Sequence, residues 1–206
     1  RLHYGMTSIA GGRGGAPPAD HLSEAYRQLG FPVGRLKTGT CPRIHRRSID
    51  FSVLEEQPGD SDPVPFSFST DRESFHPFQV SCWLTRTTVR TREIILAAMD
   101  RSPLYSGRIE GIGTRYCPSI EDKYVKFPDR DSHHLFLEPE GLETAEFYVN
   151  GLSTSLPEDV QLEMLHSCPG LENAEIIRPG YAVEYDFVPP TELYLTLETR
   201  RVEGLY

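Results

Sequence analysis

A chain of 206 residues with 38% hydrophobic residues and a formal net charge of −9 is long enough to bury a core in one large domain or two small ones. The acidic balance argues against a general coat protein for nucleic acid, which needs positive charge facing phosphate. No apolar run approaches the roughly 20 residues that span a bilayer, and the opening "RLHYGMTSIAGG" lacks the order of a signal peptide, so a cytoplasmic protein without membrane association is expected.

The glycine- and proline-rich "GGRGGAPP" reads as a loop up to Asp20, which can cap a short helix over "DHLSEAYRQLG" closed by Gly30. Residues 34–47, "GRLKTGTCPRIHRR", carry Arg35, Lys37, Arg43, Arg46 and Arg47 with no acid among them, whereas residues 131–177 hold ten Asp or Glu and no Lys or Arg. One surface can therefore attract phosphate while another repels it, or the cations simply solvate a loop. Period-two alternation at Ile49, Phe51 and Val53, and again at Val64, Phe66 and Phe68, predicts two half-buried strands joined by the turn-rich "EEQPGDSDP". The run "QVSCWLTRTT" predicts a further strand feeding a helix at "TREIILAAM", whose Ile94, Ile95, Ala98 and Met99 form one apolar stripe. After the breaker "DRSPLYSGRIEGIG" come a short helix beyond Cys117, a strand at "HHLFLE" and a hairpin at "EFYVNGLSTS" turning on Asn150-Gly151. Pro157 opens the next helix, with Glu158 and Asp159 at the positive end of its dipole and Val160, Met164 and Leu165 on its apolar side. Pro169-Gly170 stops it, and "ENAEIIRPGYAVEYDFVPP" and "LYLTLETRRVEGLY" alternate short strands with turns. The whole predicts a mixed α/β (α+β) fold of mixed β-sheets and short helices.

The four cysteines, Cys41, Cys82, Cys117 and Cys168, form no C-x-x-C pair and read as free thiols in a reducing compartment rather than zinc ligands or disulfides. Cys82 in an apolar strand and Cys168 at a helix end read as structural. Cys117 lies just before a helix start in "GTRYCPSIEDKYVKF". There the dipole and the adjacent Arg115 would favour thiolate, the setting that lowers a cysteine pKa; a buried, inert thiol is the alternative. Ser119 and Asp122 have the spacing of a capping box. His133 and His134 are adjacent on a strand and point to opposite faces, so no metal site is expected. No P-loop or G-x-G-x-x-G is present, although "GIGTRYC" could hold a phosphate at a helix start.

The segments "VGRLKTGTCPRI", "SIDFS", "EEQPGD", "PVPFSF", "DRSPLYSG", "RYCPSIEDK", "FLEPEG", "NGLSTSLP", "GLENAEIIRPGYAVEYDF" and "LETRRVEGLY" together resemble the MnmG (GidA) family of flavin-dependent tRNA uridine-modifying enzymes, over nearly the whole chain. The resemblance implies FAD and NADH as cofactors and methylene-tetrahydrofolate as one-carbon donor. Its implied partners are tRNA, the GTPase MnmE and a second copy in a homodimer. The implied product is an aminomethyl or carboxymethylaminomethyl group at C5 of the wobble uridine. It implies a glutathione-reductase-type FAD domain, with residues 1–47 a segment of that domain bearing the basic loop, 48–112 an inserted α/β domain, and 113–206 the cofactor and catalytic motif with returning FAD-domain strands. The family's N-terminal dinucleotide fingerprint and C-terminal helical region have no counterpart in these 206 residues. The chain is thus expected to be a central part of such an enzyme, inactive alone and unable to bind FAD tightly. The family reads "TGTPPR" where this sequence has Cys41, which argues against a catalytic role for that thiol.

By the same resemblance Cys117 is the nucleophile, with Glu121 and Asp122 as possible bases, capping being the simpler role for Asp122. The motif is also a nicotinamide contact region in the family, which maps to Gly113, Thr114, Arg115, Tyr116, Cys117, Pro118, Ser119, Ile120, Glu121, Asp122, Lys123, Tyr124, Val125, Lys126 and Phe127. Arg35, Lys37 and Arg43 are candidates for tRNA phosphate or flavin pyrophosphate, or for bracing the FAD domain. Two other readings stay open from sequence: a folate- and FAD-dependent tRNA uridine-C5 methyltransferase, against which the long region from Ser48 to Met99 counts, and a non-catalytic tRNA- or partner-binding module.

Overall fold

The computed structural model describes residues 1–13 and 15–206. Strand β3 (Gly34–Gly39), formed by the "GRLKTG" stretch, pairs antiparallel along its full length with β11 (Ala182–Phe187). This pair is the middle of a five-stranded sheet. On one side β1 (Leu2–Tyr4) and β2 (Thr7–Ile9) continue it antiparallel, and on the other β7 (Ile112–Gly113) runs parallel to β3. Helix α1 (Asp20–Gln28) joins β2 to β3. Asp20 is the first helical residue, with Ala19 in the cap position and making no side-chain cap bond.

Past Gly39 the chain crosses into a second, six-stranded sheet in the order β10 (Ile176–Arg178), β4 (Arg43–His45), β9 (Glu146–Asn150), β8 (His134–Pro139), β6 (Cys82–Arg86) and β5 (Glu55–Gln57), every pair antiparallel. Alternation buries Ile44, Leu135, Leu137, Phe147 and Val149 from this sheet. Against them pack Ile94, Ile95 and Ala98 at α2 (Val89–Ala97), Ile120 and Tyr124 of α3 (Ile120–Lys126), and Val160, Met164 and Leu165 of α4 (Glu158–His166). The apolar faces expected for α2 and α4 are therefore the faces that close the core. Among the described residues no helix is long and apolar enough to cross a membrane.

Four expected elements are absent among the described residues. Residues 49–53 form a 3-10 turn at Phe51–Val53, because the Asp50 carboxylate takes the Ser52 N–H at 3.0 Å and curls the backbone. Phe51 is still drawn inward, its ring 4.9 Å from Trp83 and 5.6 Å from Phe147. Val64, Phe66 and Phe68 lie outside any strand and are exposed; alternation makes a strand only where a neighbour supplies the ladder hydrogen bonds. Gly151 does turn the chain, at φ +99, but no hairpin follows. Strand β9 is already flanked by β8 and β4, so residues 152–156 depart and meet the five-stranded sheet's side through a bridge at Thr40 and Thr154 and a 2.7 Å bond from the Gly5 N–H to the Ser155 carbonyl. Near the end of the chain, a bridge between Leu193 and Thr199 takes the place of the last expected strand.

Candidate functional site

The motif loop leaves the five-stranded sheet at Gly113, which sits opposite Lys37 in the β3–β7 pairing, and enters α3 at Ile120, seated in the core of the six-stranded sheet. It therefore bridges the two sheets. Ile120 N–H donates to the Ser153 carbonyl at 2.7 Å, and the Lys123 ammonium donates to the Gly151 carbonyl at 2.9 Å. Both bonds fix the start of α3 against the segment leaving β9. Tyr124 is buried, sharing a 2.7 Å hydroxyl–hydroxyl bond with Thr87 and meeting His133 edge-on at 4.8 Å.

The Asp122 carboxylate reaches back to the Ser119 N–H at 3.4 Å and accepts from its hydroxyl at 3.2 Å, the return half of a capping box. It also accepts the Tyr105 hydroxyl at 3.0 Å and faces the Lys37 ammonium at 3.8 Å. Burial, then the Asp122 charge and hydrogen bond, raise the Tyr105 pKa. Glu121, only 1% exposed, accepts from the Thr154 hydroxyl at 2.8 Å and the Ser155 N–H at 3.3 Å, while its Oε2 has no partner. Both acids of the motif face inward.

Cys117 is the exposed cysteine of the four; Cys41 and Cys168 are buried and Cys82 is half-buried. Burial raises the pKa of all three others, to about 11 for Cys168. The Thr38 hydroxyl lies 3.7 Å from Cys117 Sγ and can donate to it. The Arg115 guanidinium lies over the Tyr116 ring, 5.4 Å from its centroid. Burial lowers the Lys123 pKa, an effect opposed by the nearby Cys41 and Cys117 sulfurs.

The three cations singled out in residues 34–47 do not come together. Arg35 pairs with Glu184 at 2.9 Å and Asp186 at 2.6 Å across the β3–β11 ladder. Lys37 is 2% exposed and turned to Asp122. Arg43 bonds Glu140 at 2.8 Å and covers the Tyr148 ring at 4.7 Å. Sequence reasoning missed Thr38 and Tyr105, because no spacing rule links residues 79 and 17 positions from their partners.

A family model described as Glucose inhibited division protein A matches residues 1–206. The chain is 57% identical over 206 residues to a protein of Chlorobaculum tepidum named tRNA uridine 5-carboxymethylaminomethyl modification enzyme MnmG, and 55% identical over 205 residues to one of that name from Nitratiruptor sp., in each case covering 100% of this chain and 33% of the relative. Two crystal forms of Aquifex aeolicus GidA match it with TM-scores of 0.89 and 0.88 at 57% and 53% identity, over 100% of this chain and 35% and 33% of theirs. The chain thus spans about a third of the length of the relatives it matches.

Proposed function

The chain belongs to the glucose inhibited division protein A family, and we propose that it serves in a flavin-dependent enzyme modifying C5 of the wobble uridine of tRNA, with Cys117 as nucleophile. The observation that carries this reading is the exposure of Cys117 on a loop anchored to both sheets, by strand pairing at Gly113 and a backbone hydrogen bond at Ile120. C5 of uridine is a weak nucleophile. A thiolate that adds to C6 forms an S–C6 bond and pushes the C5=C6 electron pair into an enolate at C4–O4. C5 can then attack a one-carbon electrophile, and a base removes the C5 proton. The electron pair returns to C5=C6 as the S–C6 bond breaks and frees the thiolate. The Thr38 hydroxyl supports this role as a donor to the sulfur when it carries charge.

We assign Asp122 to holding the loop, since its carboxylate is engaged by Tyr105, Ser119 and Lys37, and Glu121 likewise, since it is buried with Oε1 tied to Thr154 and Ser155. The same reasoning assigns Arg35, Lys37 and Arg43 to bracing. For FAD, the residues that fit line a cavity of about 710 Å³ beside β1, α1 and β11, with Gly11, Gly12, Tyr26 and Arg27 in its lining. There His3, 2% exposed, keeps a buried Nδ1 without a partner. When bound, the flavin would supply the redox chemistry. NADH as reductant, methylene-tetrahydrofolate as carbon donor, the GTPase MnmE as partner, a homodimeric state and a cytoplasmic setting belong to the same reading.

Cys117→Ser in the full-length protein tests it, with wobble-uridine mass spectrometry, flavin content and NADH oxidation measured together. Modification lost while flavin content and NADH oxidation persist is the expected result. Loss of NADH oxidation would instead make Gly113 to Phe127 a nicotinamide contact, and retained modification would end the nucleophile assignment.

A further inference from the structure

Three cations around the Cys117 loop, Arg115, Lys126 and Arg130, are exposed and have no acid partner among the described residues. Tyr116 beside Arg115 is 88% exposed and Phe127 beside Lys126 is 53% exposed. The acids that could neutralise this surface are mostly withdrawn: Glu121 and Asp122 are buried, and Asp131 is paired with Arg92 at 3.2 Å. Asp129 is the one acid of residues 113–130 left exposed. Basic side chains interleaved with exposed aromatic rings are what a single strand of RNA requires, because cations meet phosphate while rings stack on bases that are out of a duplex.

From this we propose that the surface formed by Arg115, Tyr116, Lys126, Phe127 and Arg130 holds the unpaired nucleotides flanking the target uridine. Tyr116 and Phe127 offer stacking platforms, and the three cations meet backbone phosphates. Helix α3, seven residues and so about 10 Å long, lies between Arg115 and Tyr116 before its start and Lys126 and Phe127 at its end, a length that about three nucleotides at ~3.4 Å each would cover. Cys117 lies three residues before the first residue of α3. Two other places in the chain satisfy only half of the requirement. The segment from residue 58 to 81 exposes Phe66, Phe68 and Phe78 but carries Asp60, Asp62, Asp71 and Glu73 against Arg72, and its charge repels phosphate. Residues 34–47 are basic, but Arg35, Lys37, Arg43 and Arg47 are each engaged with a carboxylate.

The proposal rests on the tRNA-modifying reading, and its test separates the two. Full-length protein carrying Arg115→Glu, Lys126→Glu, Arg130→Glu, Tyr116→Ala or Phe127→Ala is titrated with a labelled anticodon stem-loop between low and moderate salt, with Arg72→Glu as control. Each charge reversal should weaken binding several-fold at moderate salt and lower the salt slope by about one, and each ring deletion should weaken binding about tenfold with the slope kept. Arg72→Glu should bind as wild type. Charge-neutral Arg115→Gln and Lys126→Met replace any reversal that lowers flavin content, and should lower the slope in the same direction. Unchanged affinity and slope in all variants, or a defect appearing only in the KM for NADH, would overturn the surface while leaving the enzyme reading intact. Wild-type protein that neither binds nor modifies tRNA would remove the enzyme reading and this surface with it.

Discussion

Glu184 accepts from four donors at once: Arg35 Nε at 2.9 Å, His3 Nε2 at 3.0 Å, and the backbone N–H groups of Glu110 at 3.0 Å and Gly111 at 2.9 Å. Burial pushes the Glu184 pKa up, but the hydrogen bonds from Arg35, His3 and Gly111 outweigh it and hold the group at about 2. Because the folded pKa is depressed, its stabilisation is fully present above the ordinary carboxylate value near 4.5 and is lost as pH falls towards about 2. That contribution is on the order of 3 kcal/mol. His3, whose pKa burial lowers against the pull of Glu184, adds in the same sense, losing stability as pH falls below its ordinary value. Glu184→Gln should therefore lower the urea midpoint at pH 7 and flatten the loss of stability between pH 4.5 and 2.5; an unchanged acid limb would show that the four-donor site does not set it. Little of this was legible from sequence. Arg35 and Lys37 in a basic run read as exposed, since the partners that bury them, Asp186 and Asp122, lie 151 and 85 positions away and meet them only through strand pairing and the docking of α3. By contrast Ser119 and Asp122 were legible, because their bond spans three positions and depends on local backbone alone.

At the N-terminus of α2, Thr88 and Thr91 cap each other: the Thr91 N–H donates to Thr88 Oγ1 at 3.2 Å, and the Thr88 N–H donates to Thr91 Oγ1 at 2.9 Å. The same hydroxyls reach the end of α4, Thr88 Oγ1 donating to the Ser167 carbonyl at 3.0 Å and Thr91 Oγ1 meeting the Ser167 hydroxyl at 2.6 Å. A single polar knot therefore closes one helix and docks it on another. Thr88→Ala should cost about 1–2 kcal/mol, the upper range for a cap, and should combine less than additively with Ser167→Ala in urea denaturation because the two share partners. Strict additivity would mean that the cap and the dock are independent. Elements whose signals were local, the stripe of α2 and the dipole-matched start of α4, were readable in the sequence. Phe66 and Phe68 were not, because alternation says which residues share a face and nothing about whether a neighbouring strand exists to receive them.

Across the whole molecule, the two sheets are tied where Lys37 of the five-stranded sheet faces Asp122 of α3, whose Ile120 and Tyr124 belong to the core of the six-stranded sheet. Tyr105, from the segment between α2 and β7, completes the cluster through its hydroxyl bond to Asp122. Cys117 lies on the connection between these anchors, so its position relative to Thr38 depends on the cluster. Lys37→Met removes the charge but keeps most of the side-chain volume. It leaves the Asp122 carboxylate buried with only Tyr105 and Ser119 as partners, at a cost of about 3 kcal/mol. Lys37→Met with Asp122→Asn removes both charges and should recover at least about 1 kcal/mol of that loss. If the cluster positions the loop, Lys37→Met should also speed hydrogen exchange in residues 113–127 and change the alkylation rate of Cys117, while exchange in β8 and β9 stays slow. The double variant should bring both back towards wild type. A double variant less stable than Lys37→Met alone, or exchange that rises equally throughout both sheets, would assign Lys37 to general stability and leave the placement of Cys117 to local bonds within its loop.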